Sequence, residues 1–136
     1  MAVKGGFPTD GVELTQLLVV GDLDRSRKFY RDVLGAELFR EYGGTSVVLR
    51  FQGNWILLVT GGEPTGDKPG VTFAPPTDPN TISQQMTFRV PDCQAAYETL
   101  KGRGAVFLTP PFDRGGEIRC FFRDPDGRLL EISEVR

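Results

Sequence analysis

The chain has 136 residues, of which 39% are hydrophobic and 25% charged: one globular domain, large enough to bury a real core and too short for two independent ones. Its 16 Lys and Arg against 18 Asp and Glu leave a net charge of -2, so no general attraction to nucleic acid or to an anionic membrane is expected. Histidine is absent, which excludes Ser-His-Asp and Cys-His catalysis, an imidazole base and a site of two histidines and one carboxylate; any metal chemistry has to use oxygen ligands.

In chain order, the stretch from Met1 to Pro8 lacks the apolar run of a signal peptide. No later stretch approaches the roughly 20 apolar residues that span a bilayer, so a cytoplasmic protein is expected. Residues 14–20, rich in Leu and Val, read as a strand. Asp22 then precedes a helical pattern in which Leu23, Phe29, Tyr30, Val33 and Leu34 share one face, with Asp22 as N-cap and Gly35 as the left-handed residue that ends it. The spacing predicts strands at 36–39, 45–51 and 55–60, with turns at Gly43-Gly44 and Gly53-Asn54. Residues 61–81 are rich in Pro and Gly and form a connector, with a short strand at 71–74.

From residue 85 the order returns: a strand at 85–90, a helix from Asp92 to about Gly102, and strands at 105–108, 117–123 and 129–133. The last two are joined by the strong turn signal Asp124-Pro125-Asp126-Gly127. Val20-Gly21-Asp22, a helix and Gly35-Ala36 thus recur as Val90-Pro91-Asp92, a helix and Gly104-Ala105. The chain reads as a duplication: one domain of two modules, 14–60 and 82–135, joined by the linker 61–81. Cys93 and Cys120 fall in no zinc spacing and read as buried free thiols.

Two motifs carry a family likeness. Asp22-Leu23, Ser26, Phe29-Tyr30 and Leu34-Gly35, followed by Phe121, Asp124-Pro125-Asp126-Gly127 and Glu131, resemble the vicinal oxygen chelate superfamily of glyoxalase I, bleomycin-resistance proteins and extradiol dioxygenases. The resemblance implies an α+β fold of two βαβββ modules forming curved mixed sheets around a cleft, a small-molecule ligand, and a homodimer. It implies no particular reaction, because the superfamily hosts unrelated chemistries and metal-free binders.

In metal-using relatives, one position in the first and one in the last strand of each module supply the four ligands. Aligning the final hairpins on Gly53 and Gly127 gives Glu131 the carboxylate position and makes Leu57, which cannot ligate, its twin. Gln16 and Gln85 are the first-strand candidates. Gln85 lies seven residues before Asp92, whereas Gln16 lies six before Asp22 and Thr15 seven, so one bulge would reconcile them; Gln84 is the fallback. Gln16, Gln85 and Glu131 would hold a divalent metal only weakly.

Alternation places Glu117, Arg119 and Phe121 on a face opposite Ile118, Cys120 and Phe122, groups Gln85 with Thr87 and Arg89, and groups Trp55 with Leu57 and Val59. The expected ligand-binding set is Gln16, Trp55, Leu57, Gln85, Arg119 and Phe121, with Trp55 open to either core packing or stacking. Glu131 has three open roles: a paired carboxylate, a metal ligand or a catalytic base. Phe29, Tyr30 and Leu34 are expected in the core.

Three functions follow. The first is a metal-independent binder that sequesters a metabolite or antibiotic, with no cofactor. The second is a divalent-metal glyoxalase-like lyase or isomerase, and the third a scaffold whose cleft is filled. An extradiol dioxygenase would need the missing histidines.

Overall fold

The computed structural model describes residues 5–136, so the part of the N-terminal reading that falls on Met1 to Lys4 lies outside the described residues. In the first module, β1 (Thr15–Val20) leads into α1 (Leu23–Lys28), then β2 (Glu37–Tyr42), β3 (Ser46–Phe51) and β4 (Asn54–Thr60). The second repeats the order with β5 (Met86–Arg89), α2 (Cys93–Gly102), β6 (Phe112–Asp113), β7 (Glu117–Arg123) and β8 (Leu129–Val135). The chain forms two four-stranded sheets, ordered β1-β4-β3-β2 and β5-β8-β7-β6. In each, the first strand runs parallel to the last and the other pairs are antiparallel, which is the mixed α+β architecture of two βαβββ modules.

Both helices start as their sequences dictate. Asp22 and Asp92 sit in extended backbone, and their carboxylates accept from Arg25 N at 3.1 Å and Ala95 N at 3.0 Å, satisfying an amide that the first turn leaves free. The first helix departs from the even pattern over residues 23–34. After Lys28 it widens into a π-helical turn, Phe29–Val33, closed by Leu34 N to Phe29 O at 3.1 Å and followed by Gly35 at φ +90°. Tyr30 is fully buried there, and its hydroxyl reaches the other module, donating to Asp124 Oδ2 at 2.7 Å.

The helix-facing sides of both sheets share one core. Leu18, Val20, Val47, Leu49, Ile56 and Leu58 come from the first sheet, and Cys120, Phe122, Leu130 and Ile132 from the second. Tyr30, Leu34, Tyr97 and Leu100 complete it. Phe29 lies 6.5 Å from Phe122 and Phe51 5.3 Å from Phe88, ring centre to ring centre, so aromatic contacts tie module to module.

The Asp124–Gly127 turn adds a polar tie. Asp126 accepts from Gly21 N at 2.9 Å and from Ser26 Oγ at 3.4 Å, while Arg128 donates to Val19 O and pairs with Asp124 at 3.2 Å.

Two expected strands take other forms. Residues 105–108 make only one bridge, Phe107 to Phe122, and the two-residue β6 resumes the pairing beyond Pro110-Pro111, whose missing N–H groups interrupt the ladder. Residues 71–74 likewise form a single bridge, between Gly62 and Phe73, bounded by Gly70 and by Pro75-Pro76. The hairpin before β4 turns at Gln52-Gly53, one residue earlier than the sequence indicated. Both residues have positive φ, 46° and 80°, as a two-residue type I′ turn requires.

Candidate functional site

Each sheet turns one face to the helices and leaves the other open, and period-two alternation decides which side chains appear there. On the second sheet, β8 offers Glu131 and Ser133. The register sets Thr87 and Phe121 on either side of Glu131, and Arg89 and Arg119 on either side of Ser133.

These neighbours form a connected network. Glu131, 5% exposed, accepts on Oε1 from Gln85 Nε2 at 2.8 Å and from Thr87 Oγ1 at 2.9 Å. Its Oε2 lies 3.9 Å from the Arg119 guanidinium, which is equally distant from Glu117 Oε1 and sits over the Phe121 ring, 5.1 Å from its centroid. Glu117 accepts from Arg89 at 3.1 Å and from the buried Ser133 hydroxyl. The Ser133 hydrogen bond, with help from Arg89 and Arg119, holds the Glu117 carboxyl below its ordinary range. Ser133 was missed in sequence, although its spacing of two from Glu131 was the available signal.

The open face of the first sheet has the same geometry and the opposite chemistry. Leu57 lies between Leu17 and Val48 where Glu131 lies between Thr87 and Phe121. This register also fixes the first-strand equivalence. Two residues before Leu17 stands Thr15, the first residue of β1, and two before Thr87 stands Gln85, one residue ahead of β5; the pairings of β1 and of β5 carry no bulge. Thr15 is thus the counterpart of Gln85. Gln16 instead shares the parity of the core residues Leu18 and Val20, and its Oε1 faces Gln84 Nε2 at 3.4 Å.

The structure therefore gathers Gln85, Arg119 and Phe121 around Glu131, and does not bring Gln16 to that carboxylate. Gln16, Trp55 and Gln85 do line a common cavity of about 660 Å³ together with Thr87 and Arg89. Trp55 and Leu57 border a second cavity of about 330 Å³ on the first sheet.

These residues do not fit a divalent metal. Of the four positions, Glu131 alone carries charge. Gln85 turns its NH₂ toward that carboxylate, Thr15 offers only a neutral hydroxyl and Leu57 is hydrocarbon. The Arg119 guanidinium already stands 3.9 Å from the free oxygen of Glu131, where a second cation would be repelled. Among the described residues no three His, Cys, Asp or Glu side chains gather as a metal site would require.

Comparison with known proteins agrees with this architecture. The family model of the Glyoxalase/Bleomycin resistance protein/Dioxygenase superfamily matches residues 12–132, and the chain belongs to that superfamily. It is 31% identical over 131 residues to a lactoylglutathione lyase of Haemophilus influenzae, covering 89% of this chain and 90% of the relative. A probable lactoylglutathione lyase of Vibrio cholerae is 28% identical over 124 residues, covering 88% and 87%. The crystal structure of TioX from Micromonospora sp. ML1 superposes with a TM-score of 0.72 at 21% identity, over 93% of this chain and all of that one, a likeness of fold alone.

Proposed function

We propose that the chain is a small-molecule-binding protein that sequesters a metabolite or antibiotic without a metal, acting in the cytoplasm as one ligand-binding unit of modules 14–60 and 82–135. The observation that carries this reading is the asymmetry of the paired positions. Leu57 stands opposite Glu131 in the duplication, and Glu131 is already engaged by Gln85, Thr87 and Arg119. A cavity of about 660 Å³ between apolar and polar walls has the size and character of a small-molecule site. Its ligand-binding residues are Gln16, Trp55 and Gln85, with Leu57 in the adjoining wall. Arg119 and Phe121 hold and flank Glu131.

A second copy completes the assembly in this reading. The open face of the first sheet leaves Leu17, Phe39 and Tyr42 43%, 57% and 50% exposed, more apolar surface than a lone sheet comfortably shows to water. A homodimer that closes over the open faces, with the cavities enclosed between copies, removes it.

Isothermal titration calorimetry against panels of hydrophobic and cationic drugs tests the binder. Saturable, stoichiometric heat with chelator-treated protein is the expected result, and binding that appears only with stoichiometric metal would overturn it. A glyoxalase-like lyase is the second reading, favoured by the relatives named lactoylglutathione lyase. Lactoylglutathione turnover, measured with and without added nickel, zinc, manganese or magnesium, separates the two: turnover supports the lyase, and its absence in all conditions removes it.

A further inference from the structure

The apolar half of the cleft contains a feature that the asymmetry of Glu131 and Leu57 does not explain. The pairing of β2 with β3 shifts between Leu38 and Arg40, and this bulge re-aims Phe39. Its ring meets Trp55 edge to face, 4.9 Å apart at 76°, and both rings line the cavity of about 330 Å³ with Tyr42. The remaining wall is Thr15, Val48, Leu57 and one charged group, Glu13. The Glu13 carboxylate accepts from Trp55 Nε1 at 2.6 Å, which locks the indole at the cavity edge.

We propose that Phe39, Tyr42, Trp55 and Glu13 form a cage for the alkylated ammonium group of a small-molecule cation. Aromatic faces carry negative potential and attract cations, most strongly at tryptophan, and a carboxylate on the rim adds a full opposing charge. The rings already accept cations from the chain itself: the Arg50 guanidinium lies 4.0 Å from the Trp55 ring centre and that of Arg40 5.5 Å from Phe39. Arg50, at 3.4 Å, and Trp55 Nε1 both reach the Glu13 carboxylate on Oε2, and among the described residues no basic side chain lines the cavity. The Trp55 hydrogen bond and Arg50 keep the Glu13 carboxyl below its ordinary range, so it is ionised at neutral pH.

Apart from Glu13 and the Thr15 and Tyr42 hydroxyls, the side chains of the wall are apolar or aromatic and offer no acceptors for N–H groups. They suit an ammonium whose substituents are alkyl rather than hydrogen, and Glu13 disfavours an anionic guest. The cage deepens the small-molecule reading, since it rests on the open sheet faces being a binding cleft and names the charge of the guest.

Trp55 is the only tryptophan in the chain, so its fluorescence reports the cage directly. Choline is titrated into the whole protein beside 3,3-dimethyl-1-butanol, which replaces the quaternary nitrogen by carbon at the same shape. The expected result is a saturable change in emission with choline at an affinity about tenfold above that of the alcohol. Glu13→Gln, on an exposed side chain whose loss spares the core, is expected to weaken choline several-fold and leave the alcohol unchanged.

Equal affinities, no saturable response to choline, or a choline affinity unaltered in Glu13→Gln each overturn the cage. Binding from the hydrophobic drug panel in those cases leaves the sequestration reading intact, whereas silence from both the drug panels and choline removes both.

Discussion

At the residue scale, the hydrogen bond from Ser133 holds the Glu117 carboxyl ionised on the open face of the second sheet. Glu117 gains its ionised form's stabilisation from Ser133 and Arg89, so its folded-state value lies below the ordinary 4.5. The stabilisation is present in full above about pH 4.5 and is lost as pH falls through the lower folded value. Melting temperatures taken from pH 7 to pH 3 are expected to fall across that acid range, and Ser133→Ala is expected to make the fall shallower.

The two thiols behave in the opposite sense. Burial pushes Cys120 up to about 12 and raises Cys93 as well, and both are essentially inaccessible. Iodoacetamide at pH 8 is expected to leave them unlabelled in the folded protein and to label both in urea; rapid labelling of native protein would show that the helix face is open.

At the element scale, the joint between modules depends on the turn that ends β7. Tyr30→Phe leaves the buried Asp124 carboxylate without one donor, a loss of about 1.5–3 kcal/mol for a hydrogen bond to a charged group. Urea denaturation checks this. Gln52 holds φ +46° in the first position of its hairpin, so Gln52→Asn, giving the favoured Asn-Gly turn, is expected to stabilise by a few tenths of a kcal/mol to about 1.

Most elements were legible in the sequence. Alternation located β7 and sorted its faces, and Asp22 and Asp92 announced both helices. The bulge that re-aims Phe39 and the π-helical turn at Tyr30 were hidden, because neither leaves a mark in the apolar spacing, whereas the prolines at 110 and 111 carried the signal for the interrupted strand. The Gln16 register shows the same limit. Distance to the helix cap admitted two alignments, and only the β1–β4 pairing distinguishes Thr15 from Gln16.

At the scale of the whole molecule, the repeated βαβββ module supplies a symmetric frame whose two halves differ in chemistry. The open face of one sheet carries Leu17, Phe39, Tyr42 and Leu57, and that of the other Thr87, Arg89, Glu117, Arg119 and the buried Glu131. The candidate site was legible as a pair of faces but not as a connected network, since Gln85 and Thr87 reach Glu131 across sequence separations of 46 and 44 residues. Sedimentation velocity tests the proposed assembly: a dimer is expected for the parent chain, and Leu17→Glu, which sets a charge on the open apolar face, is expected to shift it toward monomer with little change in melting temperature.

In the proposed reading Arg119, Gln85 and Thr87 engage Glu131 in a site that uses no metal. Isothermal titration of nickel and zinc into chelator-stripped protein tests it most directly. No stoichiometric binding heat is expected from either ion, and Glu131→Gln should give the same trace as the parent chain. One-to-one binding that disappears in Glu131→Gln would make Glu131 a metal ligand and overturn the metal-free site.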